Sequence, residues 1–435
     1  MVPGRLARVV AVCAAAGCVL VAARGCSPVP PAGLPGCLLG ATCYAPDQFR
    51  VAYGISPLLD RGIDGRGQTV VLLEEPARLT ASSPVTDLRQ DLALFDRLFG
   101  LPAARLQEVT SLVRGASPWL AGAEEVEDAE IVHALAPAAV IRVVLFGAAA
   151  GTSAGSAVAA VAAALRLAVS QGGVISVSYG WGEHCAGPAG VTALNSALQA
   201  ARDRHVTVVA SSGDLGAASL PCSGAGAAAV PVKGVNLPAS DPLVLAVGGT
   251  TLQASHATGA YVGETAWNTA PQPPLTPDSY ASGGGFSRLF PRPAYQDGVP
   301  GAGRARGVPD VAADASWGAA STGMALAFTQ REGKYAVVPA SGTSAAAPLW
   351  AAVIALADQY AGHDLGLVNP AIYRIGRSPS YRTAFHDITA GTNTVEFPPK
   401  TISGYQASPG WNPVTGWGSP DARVLIPLLA RYASP

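Results

Sequence analysis

Between residues 68 and 250 the chain alternates short apolar runs with longer segments whose apolar residues recur at helical spacing. Gln68–Leu73, Val140–Phe146, Val174–Val177, Val206–Ala210 and Leu243–Val247 read as strands. Val85–Phe99, Ala123–Leu135, Ser156–Ser170 and Val191–Arg204 read as helices between them. This alternation predicts an α/β fold, with a parallel β-sheet flanked by helices on both faces. Residues 253–335 are dense in Gly and Pro and suit loops and short strands around a cleft. No internal repeat interrupts the pattern, and residues 44–435 are expected to form one large domain.

Only 13% of the 435 residues are charged, against roughly 25% in ordinary soluble domains. The formal net charge of -1 gives no reason to expect nucleic acid as a partner. Arg5 and Arg8 precede an apolar, small-residue run from Val9 to Ala23, too short for a membrane span and suited to a secretory signal over residues 1–25. Residues 26–43 are proline-rich and read as a linker. In an exported chain, Cys37 with Cys43 and Cys185 with Cys222 are expected as disulfides, while Cys13 and Cys18 leave with the signal. Cys26 is left over after Ala23-Arg-Gly25, a loose lipobox, and marks a possible lipid anchor. The expected form is a monomer, secreted or held at the cell surface.

The string Ser341-Gly-Thr-Ser-Ala-Ala-Ala-Pro348 follows an apolar run, Tyr335–Pro339, and opens a helical segment over Ala345–Tyr360. Pro348 is expected in the first turn, where its missing amide costs little. Ser344 then stands at a loop-to-helix junction, where free amides and the helix dipole favour a nucleophilic hydroxyl. An isolated Ser-x-Ser in this position would be an N-cap. A serine nucleophile needs a base, but none of the six histidines has a recognisable triad setting. Glu124 and Asp128, four apart on a predicted helix, share a face. Beside Ser344, Glu124 would accept the hydroxyl proton and Asp128 would orient it, one of the two carrying a raised pKa. Alternatively, Glu124, Glu125, Glu127, Asp128 and Glu130 form a solvated acidic first turn. Asp214, in Ser211-Ser-Gly-Asp214 at the carboxyl end of a strand, is either a turn residue or a protonated donor to an oxyanion.

These strings occur in the order found in the sedolisins, or serine-carboxyl peptidases, which the chain resembles over roughly residues 45–425. Ala52-Tyr-Gly54, Ala246-Val-Gly-Gly-Thr250, Gly283-Gly-Gly-Phe-Ser287, Pro309-Asp-Val311 and Thr415-Gly-Trp-Gly-Ser-Pro420 add to the likeness. The resemblance implies a subtilisin-like fold and peptide-bond hydrolysis through an acyl-enzyme at acidic pH. It implies Ser344 as nucleophile, Glu124 as base and acid, Asp128 as its partner and Asp214 as the oxyanion acid. Glu74, Tyr179 (where the family commonly has Trp), Gly283 and Gly284 are expected around them. It also implies one structural Ca2+ held by Asp387, Ile388, Ser408, Gly410 and Asn412. Asn412 stands where the family usually has Asp, so the site should be weakened by the lost charge. Sedolisins are typically made with a long prodomain, whereas here some twenty residues separate the signal from the resemblance. Two other readings compete: an inactive cell-surface binding protein on the same fold, and an esterase using Ser153 of Gly151-Thr-Ser153-Ala-Gly155. Endopeptidase and tripeptidyl-peptidase action are both compatible with the sequence.

Overall fold

The structure, a computed structural model, describes residues 43–76, 86–114, 116, 119–147, 154–220, 222, 231–269, 279–317, 321–329 and 334–433. The expected signal and linker, Cys13, Cys18, Cys26 and Cys37, and the Gly151–Ser153 part of the esterase string all lie outside these residues. Cys43 is disulfide-bonded, and Cys185 is joined to Cys222.

Eight strands form the central sheet: β1 (Thr69–Glu74), β2 (Arg105–Ser111), β3 (Val140–Leu145), β4 (Val174–Val177), β5 (Thr207–Ser211), β6 (Leu245–Ala254), β7 (Tyr261–Ala266) and β8 (Val311–Asp314). Their order is β7-β6-β5-β4-β1-β3-β2, with β8 also paired to β6. Every pairing is parallel except that of β6 with β7.

Pleat parity decides what each strand end offers. Val70 and Leu72 point into a core shared with helices Ala123–Leu135 and Gly342–Ala361, while Val71 and Leu73 point into a core shared with helices Ala154–Val169 and Gly187–Asp203. Successive side chains of a strand face opposite sides. Glu74 therefore emerges on the side of the first two helices. In β4, Val174 joins the first core and Ile175 and Val177 the second, so Ser178, just past the strand, also faces the first side. Leu73 pairs with Val177, which sets Glu74 and Ser178 next to each other in register.

Several boundaries differ from the sequence reading for identifiable reasons. The helix expected from Val85 starts at Leu88, because Thr86–Asp87 pairs with Leu120–Ala121 and Asp87 caps the helix through the Arg89 amide. Strand β6 continues past Gly248-Gly249 to Ala254, since Thr250–Ala254 finds a partner in β7. Those glycines do not end the strand; they admit close neighbours, and a Cβ on Gly249 would lie 2.6 Å from the Ala315 Cβ. The serine-bearing helix begins at Gly342, whose φ of 76° requires glycine, and Ser341 is its N-cap. Ser344 is thus the third helical residue, and Pro348 lies inside the helix instead of in its first turn. An internal proline leaves the carbonyl four residues earlier without its usual donor. Here that carbonyl is Ser344 O, and the Ser178 hydroxyl oxygen lies 3.4 Å from it.

Candidate active site

The acidic segment does not face water. Helix Ala123–Leu135 is buried around its whole circumference, including Glu124, Glu125, Glu127, Asp128 and Glu130, which overturns the solvated-first-turn alternative. Buried carboxyls require donors, and the chain supplies backbone amides. Gly122 N–H donates to Glu125 Oε2 at 2.8 Å, Ser341 N–H to Glu127 Oε1 at 3.2 Å and Ala327 N–H to Glu130 Oε2 at 2.8 Å. Ala327 lies in a hairpin of Ala325–Thr329 and Tyr335–Pro339 that leads directly into the serine helix. The carboxylates of one helix thereby fix the start of the other.

Ser344, 4% exposed, lies at this junction. Its hydroxyl donates to the Ser178 carbonyl oxygen at 3.4 Å and lies close enough to the Glu124 carboxyl to lower its pKa. Glu124 Oε1 has no partner among the described residues. Burial, and then the neighbouring Asp128 and Glu127 charges, hold the Glu124 carboxyl well above its ordinary pKa, while the Ser344 contact opposes the shift.

Behind Glu124, Asp128 accepts the Ser178 hydroxyl at 2.7 Å and lies against the Glu74 carboxyl. Burial pushes Asp128 up to about 7, with Ser178 and Glu74 pulling it down. Glu74 is also raised, by burial and by the charges of Asp128, Glu125 and Glu124. Neither oxygen of Glu74 nor Oδ1 of Asp128 has a hydrogen-bond partner among the described residues. Two carboxylates can only accept, so a pair buried this closely disfavours double ionisation, which raises both.

Asp214 lies three residues beyond the end of β5 and binds Thr343, the residue before Ser344. Its Oδ1 accepts both the Thr343 amide (2.8 Å) and the Thr343 hydroxyl (2.7 Å). Burial raises its pKa against the pull of those two donors, and with Oδ1 occupied a proton would reside on Oδ2. The loop is packed from behind by glycines. Gly283 N–H donates to Gly213 O at 2.7 Å; a Cβ on Gly283 would lie 2.3 Å from Ser212 O, and one on Gly284 2.1 Å from Pro413 O.

The structure thus brings together Ser344, Glu124, Asp128, Asp214 and Glu74, with Gly283 and Gly284 supporting the Asp214 loop. It places the Tyr179 ring in the core of the opposite face, edge-on to Phe146 at 5.4 Å. Histidine is not part of the cluster: His133 contacts Asp96 at 2.7 Å, His256 stacks on Tyr44 and His386 on Tyr261. Two participants were not singled out from the sequence. Ser178 is the residue before Tyr179, and Glu127 is one more acid in a charge run. The parity of β4 was the available signal for Ser178; for Glu127 there was none.

The residues expected to hold calcium also come together, but with different polarity. The Asn412 side-chain nitrogen donates to the carbonyls of Ser408 (3.0 Å), Ile388 (3.3 Å) and Gly410 (3.4 Å), while Asp387 accepts the Gly410 amide and the Tyr381 hydroxyl. The oxygens that a cation would need are already turned toward hydrogen-bond donors. Among the described residues the other cluster with metal-ligand spacing is His184, Cys185 and Cys222, whose two sulfurs are joined in a disulfide.

A parallel sheet with a serine helix and an acidic helix at its carboxyl edge defines a subtilisin-like hydrolase scaffold in which carboxyls stand where histidine would be expected. The chain belongs to the subtilase family, whose sequence model matches residues 120–371, and within it to the sedolisins. It is 35% identical to kumamolisin of Bacillus sp. (strain MN-32), over 90% of this chain and 65% of that protein. It is 29% identical to tripeptidyl-peptidase 1 of Homo sapiens, over 59% of this chain and 43% of that protein. The solved structure of Pseudomonas sedolisin, a serine-carboxyl proteinase complexed with pseudo-iodotyrostatin, superposes with a TM-score of 0.71 at 26% identity, covering 91% of this chain and all of that one. The chain spans less than two thirds of the length of these curated relatives.

Proposed function

We propose that the chain is a serine-carboxyl peptidase that hydrolyses peptide bonds at acidic pH. The observation that carries this reading is the unpartnered Oε1 of Glu124, a buried carboxyl of raised pKa set against the Ser344 hydroxyl. In this reading Ser344 Oγ attacks the scissile carbonyl as Glu124 takes its proton, and Glu124 returns that proton to the leaving amine. Asp128, held by Ser178 and Glu74, fixes the orientation of Glu124. A protonated Asp214 donates from Oδ2 to the developing oxyanion, together with amides at the start of the serine helix. Asp214 can donate only while it keeps its proton, so activity belongs to the acid range. Water then cleaves the acyl-enzyme with Glu124 as base.

Export fits the Cys185–Cys222 disulfide, and no helix among the described residues is long and apolar enough to cross a membrane. The named relatives include a tripeptidyl-peptidase and a proteinase, so the peptide-length requirement is part of the test. Wild type and Glu124→Gln are incubated with a mixed peptide library at pH 3–7 and the products read by mass spectrometry. The wild type is expected to cleave, yielding internal fragments or N-terminal tripeptides. Glu124→Gln is expected to lose about 10²- to 10⁴-fold in rate, the usual contribution of a general acid-base group. Equal rates in the two proteins would remove Glu124 from the mechanism. A folded wild type that cleaves nothing would leave a peptidase-shaped binding protein.

A further inference from the structure

Asn412, 1% exposed, lies between two sets of groups. Its nitrogen faces the three carbonyls of Ile388, Ser408 and Gly410. Its Oδ1 accepts the Val414 amide (3.1 Å), the Thr415 amide (3.0 Å) and the Thr415 hydroxyl (3.2 Å). This pattern fixes the orientation of the amide. Turned over, it would set its oxygen against three carbonyl oxygens and its NH₂ against two N–H groups, so that neither set of partners is satisfied.

A calcium ion at the same place would need six to eight oxygens directed inward. Three carbonyls and Asp387 are present, but Asn412 can add an oxygen only by inverting, which strands the Val414 and Thr415 amides. We propose that this junction is closed by the Asn412 amide in place of a divalent cation, so that folding of the chain is indifferent to calcium. The nitrogen, with two protons shared among three carbonyls, ties the 385–391 loop to the 408–416 loop as a metal would, without charge.

The junction supports the active region. Val414, positioned by Asn412, accepts the Ser282 hydroxyl at 2.6 Å, and Pro413 packs against Gly284, next to the glycine bonded to the Asp214 loop. Loss of the Asn412 network is therefore expected to loosen that loop as well.

The replacement is testable because one atom changes its chemistry. Asn412→Asp presents a carboxylate oxygen to the three carbonyls and to Asp387, an all-oxygen set that is repulsive until a cation enters. Calcium titration calorimetry and thermal melts in calcium or in EGTA are carried out on wild type, Asn412→Asp and Asn412→Ala, each with Ser344→Ala to prevent self-digestion. Wild type is expected to show no binding heat up to ~10 mM calcium, beyond even weak extracellular sites, and a melting temperature equal in both conditions to within about 1 °C. Asn412→Asp is expected to melt lower in EGTA and to recover with calcium, whereas Asn412→Ala, lacking both donor and acceptor, is expected to melt lower in both. One calcium per wild-type chain, with a raised melting temperature, would overturn the proposal. So would an Asn412→Asp chain that folds yet gains no calcium response. Should Asn412→Asp fail to fold, a calcium-dependent rise in wild type or in Asn412→Ala still overturns it.

Discussion

Replacing Ser344 with alanine is expected to lower kcat for peptide hydrolysis by about 10⁴- to 10⁶-fold while leaving the fold intact, the scale found when a serine nucleophile is removed from a catalytic unit. The hydroxyl has a small structural role: its contact to the Ser178 carbonyl is long, at 3.4 Å, and Ala is a good helix former. The variant should therefore unfold at nearly the wild-type denaturant concentration. Its Glu124 carboxyl loses the contact that opposes its raised pKa, so it should take up a proton at still higher pH. Steady-state hydrolysis and a denaturant melt on the same preparation separate the two effects. A variant that cleaves within tenfold of wild type would show that another nucleophile acts. One that is inactive and unfolded would place Ser344 among the structural residues instead.

Raising the pH from 4 to 8 is expected to destabilise the native state steeply. Burial pushes Asp314 up to about 7, Asp128 up to about 7 and Asp358 up to about 8. Glu74, Glu127 and Glu130 are raised well above their ordinary range, again chiefly by burial. The sign follows from proton counts. Once the pH passes about 4, the unfolded chain has released these protons while the native state still holds them. The native state binds more protons across this window, so stability falls as pH rises, until the folded pKa values are passed. For Asp314 alone, three units of displacement amount to about 4 kcal/mol, against a usual total of about 5–15 kcal/mol. His133 and His386, lowered by burial, act in the opposite sense below about pH 6.5, but they are outnumbered. Thermal melts from pH 3 to 8 should show the highest midpoint in the acid range and a marked drop by pH 8. A midpoint that rises toward neutrality would mean that these carboxyls are ionised in the native state.

The sequence reading reached the sheet and the main helices because their apolar runs carry the fold locally. Ala123–Leu135 and Val174–Val177 have in the structure the limits read from their periodicity. It missed what depends on distant partners. The extension of β6 to Ala254 comes from β7, and the early start of the serine helix from a left-handed Gly342. The spacing of Glu124 and Asp128 showed that they share a face, but not that this face is buried; that follows from amides contributed by residues as far away as Ser341 and Ala327. Asn412 was legible as a lost charge. That its nitrogen would face the carbonyls could not be read from the sequence, because the orientation is set by Val414 and Thr415 folding back onto its oxygen.

The central claim is that a serine is activated by a carboxylate base, Glu124, beside a carboxyl, Asp214, that must keep its proton. It is tested most directly by the pH dependence of kcat/KM for a single peptide cleaved by the wild-type chain. The expected profile peaks in the acid range and falls as Asp214, held above its ordinary pKa by burial, gives up its proton. A rate that climbs through pH 7 and levels off above it, as a neutral histidine base would give, would contradict it.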